Sequence, residues 1–332
     1  MLDTEPTLGA EDSLSRLSQL SQMLKASGDT LRLEILRVLQ RDSFGVLELC
    51  QIFDIKQSGM SHHLKVLAKA GLVSTRKEGN SVFYQRCAQQ QEPGAAIVQA
   101  IFAEIDRCEI RQEILGNIES VFAQRANTSL EFFSENANPV KDQQDLIAGL
   151  DVYGDRVLEF IRPANGESTQ RYHHILEVGP GNGEFLPSLA KHTEKLTALD
   201  NSEKMLSLAR DYVTQKKLLN VEFQLGDTSY CSEATETFDC AVINMVLHHT
   251  PSPQKIFSDV SASLVQRGKL IICDLCQHNQ DWARATCGDV WLGFDPENLS
   301  EWAKESGLDE GQSSYFALRN GFQIQIRTFI KN

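Results

Sequence analysis

The apolar positions of this chain change period along its length. Leu14, Leu17, Leu20 and Leu24 recur at helical spacing, which predicts a helix over Leu14–Lys25. Gly28-Asp29-Thr30 supplies a cap for a second helix over Leu31–Gln40, with Leu33, Ile35, Leu36 and Leu39 to bury. A break at Arg41–Phe44 precedes a helix over Val46–Phe53. The turn Asp54-Ile55-Lys56 then leads into a helix over Gln57–Ala70, closed by Gly71. The period next falls to two. Leu72–Thr75 and Ser81–Arg86 read as strands joined by the turn Lys77-Glu78-Gly79-Asn80. Two short helices in a helix-turn-helix, followed by a basic hairpin, make a winged helix.

Glu92-Pro93-Gly94 marks a joint, and Ala95–Ala126 reads as one long helix. Its stripe of Ile97, Ile101 and Ile105, continued by Leu115, Ile118 and Phe122, is either a dimer face or a face packed on the chain's own second domain. Ser129–Phe133, Gln143–Ile147 and Tyr153 look like a helical lead-in that closes over a ligand. From Ile175 onward strands alternate with helices. The first strand ends at Glu177 and Val178, and Gly179, Gly181 and Gly183 follow at every second position. Such a turn lacks β-carbons, so a ligand's polar body can approach backbone N–H groups at a helix N-terminus. A second strand ends in Asp200, and a third, Val221–Leu225, runs into Gly226-Asp227. A fourth, Phe238–Met245, leads to Val246-Leu247-His248-His249, and a fifth spans Lys269–Asp274. Asp281–Phe294 and Leu299–Gly307 read as a helical insertion and cap, with Tyr315–Ala317 and Phe322–Phe329 as closing strands. Trp282, Trp291 and Phe294 are candidates either for a pocket wall or for burial of the cap against the sheet. The predicted architecture has two domains, an N-terminal α+β winged helix-turn-helix and a C-terminal α/β Rossmann-like fold.

Length and charge sharpen this division. The 332 residues suffice for two cored domains. The formal net charge is −13, yet residues 14–90 hold 11 Lys/Arg against 6 Asp/Glu, and residues 91–332 hold 21 against 35. That split suits a small basic reader of nucleic acid tethered to an acidic partner domain. The boundaries expected are an acidic disordered start at 1–13, a DNA-binding domain at 14–90, a helical connector at 91–128 and a cofactor domain at 129–332. Apolar runs fall short of a membrane span, and the start Met1-Leu2-Asp3-Thr4-Glu5 is acidic rather than signal-like. The eight cysteines are scattered, with Cys273 and Cys276 forming a lone C-x-x-C at a strand end. They read as reduced thiols of a cytoplasmic protein.

The ordered motifs Ser27-Gly28-Asp29-Thr30-Leu31-Arg32, Met60-Ser61-His62-His63-Leu64-Lys65, Ala70-Gly71-Leu72-Val73 and Arg76-Lys77-Glu78-Gly79-Asn80 resemble the ArsR family of bacterial repressors. The resemblance covers about residues 18–87. It implies a homodimer on double-stranded operator DNA, with recognition helices in successive major grooves and wings on the backbone. On that reading Gln57, Ser58, Ser61, His62 and Lys65 reach base edges, while Arg76 and Lys77 meet phosphates. A plainer reading leaves His62 and His63 packed or solvated. Metal-sensing relatives carry a Cys-x-Cys where Gly45 and Leu47 stand here. Others use a histidine on the flanking helix, and no histidine occurs between His63 and His173. Cys50 alone cannot make a site, so no metal is expected.

The series from the glycine turn through Asp200, Gly226-Asp227 and Val246-Leu247-His248-His249 resembles class I S-adenosylmethionine (SAM) methyltransferases over about Ile175–Leu275. By matched position, Glu177 and Gly179, Gly181 and Gly183 approach the amino-acid end of SAM or S-adenosylhomocysteine (SAH). Asp200 takes the ribose hydroxyls, Met205 lies near the adenine, and Asp227 accepts from the adenine amino group. Asn244 and the residues after it lie under the sulfonium. His248 and His249 are candidate general bases or turn-holding residues. The Asn/Asp-Pro-Pro-aromatic motif of DNA methyltransferases is replaced by Asn244-Met245-Val246-Leu247, which disfavours base methylation. Cys231, Cys240, Cys273, Cys276 and Cys287 do not clearly match the arrangement of arsenite methyltransferases. The order of modules is similar to ArsR-type regulators that respond to SAH and control methionine-cycle genes. The expected function is a repressor modulated by SAM or SAH. The alternative is an active small-molecule methyltransferase with an autoregulatory winged helix.

Overall fold

A computed structural model describes residues 10–40, 42–78, 81–87, 94–136, 144–161 and 171–332. The acidic start before Ala10, the wing-tip residues Gly79 and Asn80, the Glu92-Pro93 joint and Gln143 lie outside the described residues. The chain divides into two compact units, 1–122 and 123–332.

The first unit begins with α1 (Ala10–Ser27) and α2 (Thr30–Val38). Asp29 caps α2 by accepting the backbone N–H of Arg32 at 3.0 Å. α3 (Val46–Phe53) and α4 (Gln57–Lys69) form the helix-turn-helix, and Gly71, at φ +70°, turns the chain out of α4 as expected. β2 (Val73–Glu78) and β3 (Ser81–Arg86) form the wing. The predicted break at Arg41–Phe44 hides a short strand, β1 (Phe44–Gly45), which pairs with Tyr84 and Phe83 to complete a three-stranded antiparallel sheet. Two residues carry no readable period, so only the tertiary pairing reveals it. Ile35, Leu36, Leu49, Met60, Leu64 and Leu67 build the core.

Two predictions for this unit need correction. The single helix over Ala95–Ala126 is two, α5 (Ala95–Asp106) and α6 (Gln112–Asn136). Between them Arg86 reaches Asp106 with two hydrogen bonds of 2.9 and 2.7 Å, and Arg111 pairs with Glu34 at 2.8 Å, anchoring the break to the winged core. Of the predicted stripe, Ile105 is buried in the winged-helix core and Ile101, Ile118 and Phe122 pack against it, beside Val98, Ile114 and Val121, which the stripe did not include; Ile97 and Leu115 are not part of that core. The leucines of α1 do the reverse. Leu14, Leu17 and Leu24 are exposed, while Met23 and Ala26 face the core.

The second unit is a seven-stranded sheet of order β6-β5-β4-β7-β8-β10-β9. β4 (Tyr172–Val178), β5 (Thr193–Asp200), β6 (Val221–Leu225), β7 (Phe238–Asn244) and β8 (Leu264–Leu275) run parallel. β9 (Leu308–Ala317) and β10 (Gln323–Lys331) close the edge antiparallel; β9 begins well before the predicted Tyr315, while β10 matches its predicted span to within two residues. Strand order reverses on either side of β4, so the loops leaving β4, β5 and β7 open a crevice at the carboxyl ends of these strands. The near-continuous burial of β4, β7 and β8 fits a sheet covered on both faces.

Candidate functional site

The first unit presents one polar helix face. Gln57, Ser58, Ser61, His62 and Lys65 are all exposed along α4, while Met60, Leu64 and Leu67 on the opposite side are fully buried. The i, i+3/i+4 spacing of both sets is what separates them. His63 turns toward Asp29, 3.8 Å from its carboxylate, so the packed reading holds for that residue and the solvated one for His62. Lys77 on β2 is exposed. Arg76 is not. It pairs across the hairpin with Phe83, shares that residue's inward face and is only 9% exposed, which corrects its expected role on phosphate. Lys56 and Lys69, exposed at the two ends of α4, extend the basic face beyond the residues picked out from sequence.

The second unit holds a cavity of about 490 Å³ at the strand switch. Glu177, Gly179, Gly181, Asp200, Met205, Asp227 and Asn244 all line it, together with His248 and His249. The three glycines serve different ends. A Cβ at Gly179 (φ +68°) would stand 2.6 Å from the Val246 side chain, and one at Gly183 (φ +85°) 2.9 Å from the backbone of Ala209. Gly183 thus packs the turn against the helix Glu203–Gln215 rather than lining the cavity. At Gly181 (φ +58°) a Cβ would meet nothing within 4 Å, so open space is kept at the turn's tip.

The acids differ in environment. Glu177 is 2% exposed, burial pushes its carboxyl up to about 8, and its Oε2 has no hydrogen-bond partner. Asp200, the last residue of β5, accepts the Ser202 N–H at 2.8 Å; burial still lifts it to about 6 against the backbone N–H groups of Ser202 and Asn201. Asp227 is exposed. Its Oδ1 accepts from the hydroxyl and N–H of Ser229, which holds its pKa below the ordinary value. Turn-capping is therefore built, and the same residue borders the cavity. Asn244 ends β7 with Oδ1 buried and unpartnered. Met245, which follows, adopts φ +55°, a strained conformation for a non-glycine residue that carries no signal in sequence.

The roof comes from Ser129 and Phe133 of α6, with Gln144, Ile147 and Tyr153, as the predicted lead-in requires. Phe132 and Phe133 pack with Met205. His248 and His249 form a turn of 3₁₀ helix after β7 and are both buried. His248 Nδ1 lies 2.7 Å from Asp274 Oδ1. Burial opposes its protonation, but the carboxylates of Asp274 and Asp289 outweigh that and raise it to about 9. Burial, then His248 itself, holds His249 well below the ordinary histidine value. The aromatic wall does not form. Trp291 and Phe294 are buried away from the cavity, Trp291 donating to Thr250 O at 2.7 Å, and Trp282 is half-exposed against Phe322.

A methyltransferase-domain model matches residues 175–288, and a helix-turn-helix-domain model matches residues 28–76. A ubiquinone biosynthesis O-methyltransferase of Coxiella burnetii is 26% identical over 172 residues, 47% of this chain and 73% of that protein. An uncharacterised HTH-type transcriptional regulator of Methanocaldococcus jannaschii is 40% identical over 74 residues, 21% of this chain and 81% of that protein. The arsenical resistance operon repressor of Staphylococcus aureus is 42% identical over 67 residues, 20% of this chain and 64% of that protein. Among solved structures, a Burkholderia thailandensis 1,6-didemethyltoxoflavin N1-methyltransferase, with 1,6-didemethyltoxoflavin and SAH bound, aligns with TM-score 0.52 at 16% identity. It spans 64% of this chain and 90% of that one. The chain belongs to the ArsR-type helix-turn-helix regulators and carries, fused behind that domain, a methyltransferase domain of class I fold.

Proposed function

We propose that this protein is a dimeric DNA-binding repressor whose operator affinity is set by SAM or SAH held in the cavity of the second unit, acting in the cytoplasm on genes of methionine and SAM metabolism. The observation that carries the reading is the state of the cavity's polar groups. Glu177 Oε2 and Asn244 Oδ1 are buried and lack partners. A native fold rarely leaves such atoms unsatisfied without a ligand or an ordered water to meet them. A zwitterionic amino-acid group fits Glu177 and the open turn at Gly181, ribose hydroxyls fit Asp200, and an adenine amino group fits Asp227.

α6 supports coupling. It contributes Ile114 and Val121 to the core of the first unit, and Ser129 and Phe133 to the cavity wall of the second. A ligand bound against Ser129 and Phe133 therefore acts on an element the DNA-reading unit also uses. Coupling of ~1–3 kcal/mol changes operator affinity about 5–150-fold. The exposed leucines of α1 support the dimer, since an apolar stripe on a basic domain is stabilised by a second copy. In the test, Asp200→Ala and Gly181→Trp abolish the ligand response of DNA binding while ligand-free DNA binding persists. Full retention of the response in both variants overturns the reading.

The second reading is an enzyme that methylates a small molecule, the sulfonium of SAM supplying an electrophilic methyl group. The cavity-lining His248, held by Asp274, favours it. Its pKa of about 9 disfavours it, because an imidazolium at neutral pH cannot take the acceptor's proton. Turnover of SAM to SAH with any acceptor separates the two readings.

A further inference from the structure

We propose that His248, His249 and Asp289 form a binding site for a divalent first-row transition metal, of the zinc or iron(II) class, beside the cavity. One ring nitrogen from each histidine and one carboxylate oxygen lie within 4.8 Å of one another, and all three residues are buried. Asp289 Oδ1 stands 3.9 Å from His248 Nε2 and 3.7 Å from His249 Nδ1. These separations are too long for hydrogen bonds. Ligand atoms on a tetrahedral metal with bonds of ~2 Å sit ~3.3 Å apart, so a set lying within 4.8 Å draws in by at most ~1.5 Å on binding.

The surroundings are arranged as metal-binding histidines require. His248 donates its Nδ1–H to Asp274 Oδ1 at 2.7 Å, which fixes the ring with Nε2 on the side of Asp289, where a metal exchanges for the Nε2 proton. Asp274 is itself fixed, accepting the N–H groups of Leu247 at 2.9 Å and Leu275 at 2.7 Å. Asp289 is held in place because Val290 and Trp291 both donate their N–H groups to the carbonyl of His248 at 2.9 Å. His249 Nδ1 donates to the Gly288 carbonyl at 3.2 Å, so Nε2, buried without a hydrogen-bond partner, is the nitrogen left for the metal. Two histidines and one carboxylate leave further coordination positions open. Both histidines border the cavity, so an open position there takes an oxygen, nitrogen or sulfur donor of a second ligand. The sequence reading expects no metal, having found no ligands at Gly45 and Leu47, because the pairing of adjacent histidines with an acid forty residues on exists only in the fold.

The test uses the full-length, chelator-treated protein titrated with Co²⁺ and read by visible d–d absorption, with Zn²⁺ as competitor. It needs neither SAM nor DNA, so it can fail without touching the proposed function. One Co²⁺ per chain is expected, displaced by Zn²⁺ and lost in His249→Ala and Asp289→Asn. Asp274→Asn should retain binding about 10–100-fold weaker. His62→Ala, on the exposed helix of the first unit, should bind as the parent does. Absence of binding by the parent chain overturns the proposal whatever the variants do. So does a thiolate-to-cobalt charge-transfer band, or binding unchanged in both His249→Ala and Asp289→Asn.

Discussion

Glu177 is the residue whose chemistry should be easiest to see in solution. Its folded pKa of about 8 lies above its ordinary 4.5. The folded chain therefore binds more protons than the unfolded one between those values, and stability falls as pH rises through that window, levelling off above about 8. Thermal melts from pH 5 to pH 9 should show this decline, and Glu177→Gln should flatten it. A ligand ammonium meeting the carboxylate should also release a proton at pH 7, seen as a buffer-dependent binding enthalpy that Glu177→Gln removes. Gly179→Ala combines a left-handed φ with a 2.6 Å approach to Val246, so chemical denaturation should report a loss of about 1–3 kcal/mol. At this scale the sequence was readable where the glycine turn and strand-end acids follow a fixed spacing. It was silent on Met245, which adopts φ +55° with its N–H bonded to Cys273 O across the sheet, a long-range contact no local pattern announces.

At the scale of the element, α4 and the wing invite a comparison within one hairpin. Lys77→Ala should weaken DNA binding across all sequences and lower the salt slope by about 1, while Lys65→Ala should relax specificity at the base it meets at a cost of about 1–3 kcal/mol. Arg76→Ala should instead lower the melting temperature and leave the slope alone, because Arg76 lies on the inward face with Phe83. Gel-shift titrations at several salt concentrations distinguish the two behaviours. Helices α2 to α4 and strands β3 and β6 were legible because their period and caps are local. The break between α5 and α6 was not, since it contains neither glycine nor proline and rests on Arg86–Asp106 and Arg111–Glu34 contacts between distant residues. Strand alternation in β2 was visible in principle, but which face turned inward depended on its partner.

For the whole molecule, the two-domain order was written in the charge split and in the change from a helix-and-hairpin pattern to alternating strands and helices. The outward face of α1 was not, because Leu14, Leu17 and Leu24 look in sequence like any core-facing stripe. If that stripe joins two copies, Leu17→Glu should shift the protein to monomer in sedimentation and weaken operator binding, since two half-sites are then no longer bound as one unit. The central claim, a regulator governed by a methyl-cycle ligand, is tested most directly by titrating DNA from upstream of its own gene. The titration is run with SAM and separately with SAH, at one fixed salt concentration. The account predicts a several-fold change in DNA affinity with one of the two ligands. If both ligands bind yet neither alters DNA affinity, the cavity serves chemistry rather than sensing and the account is contradicted.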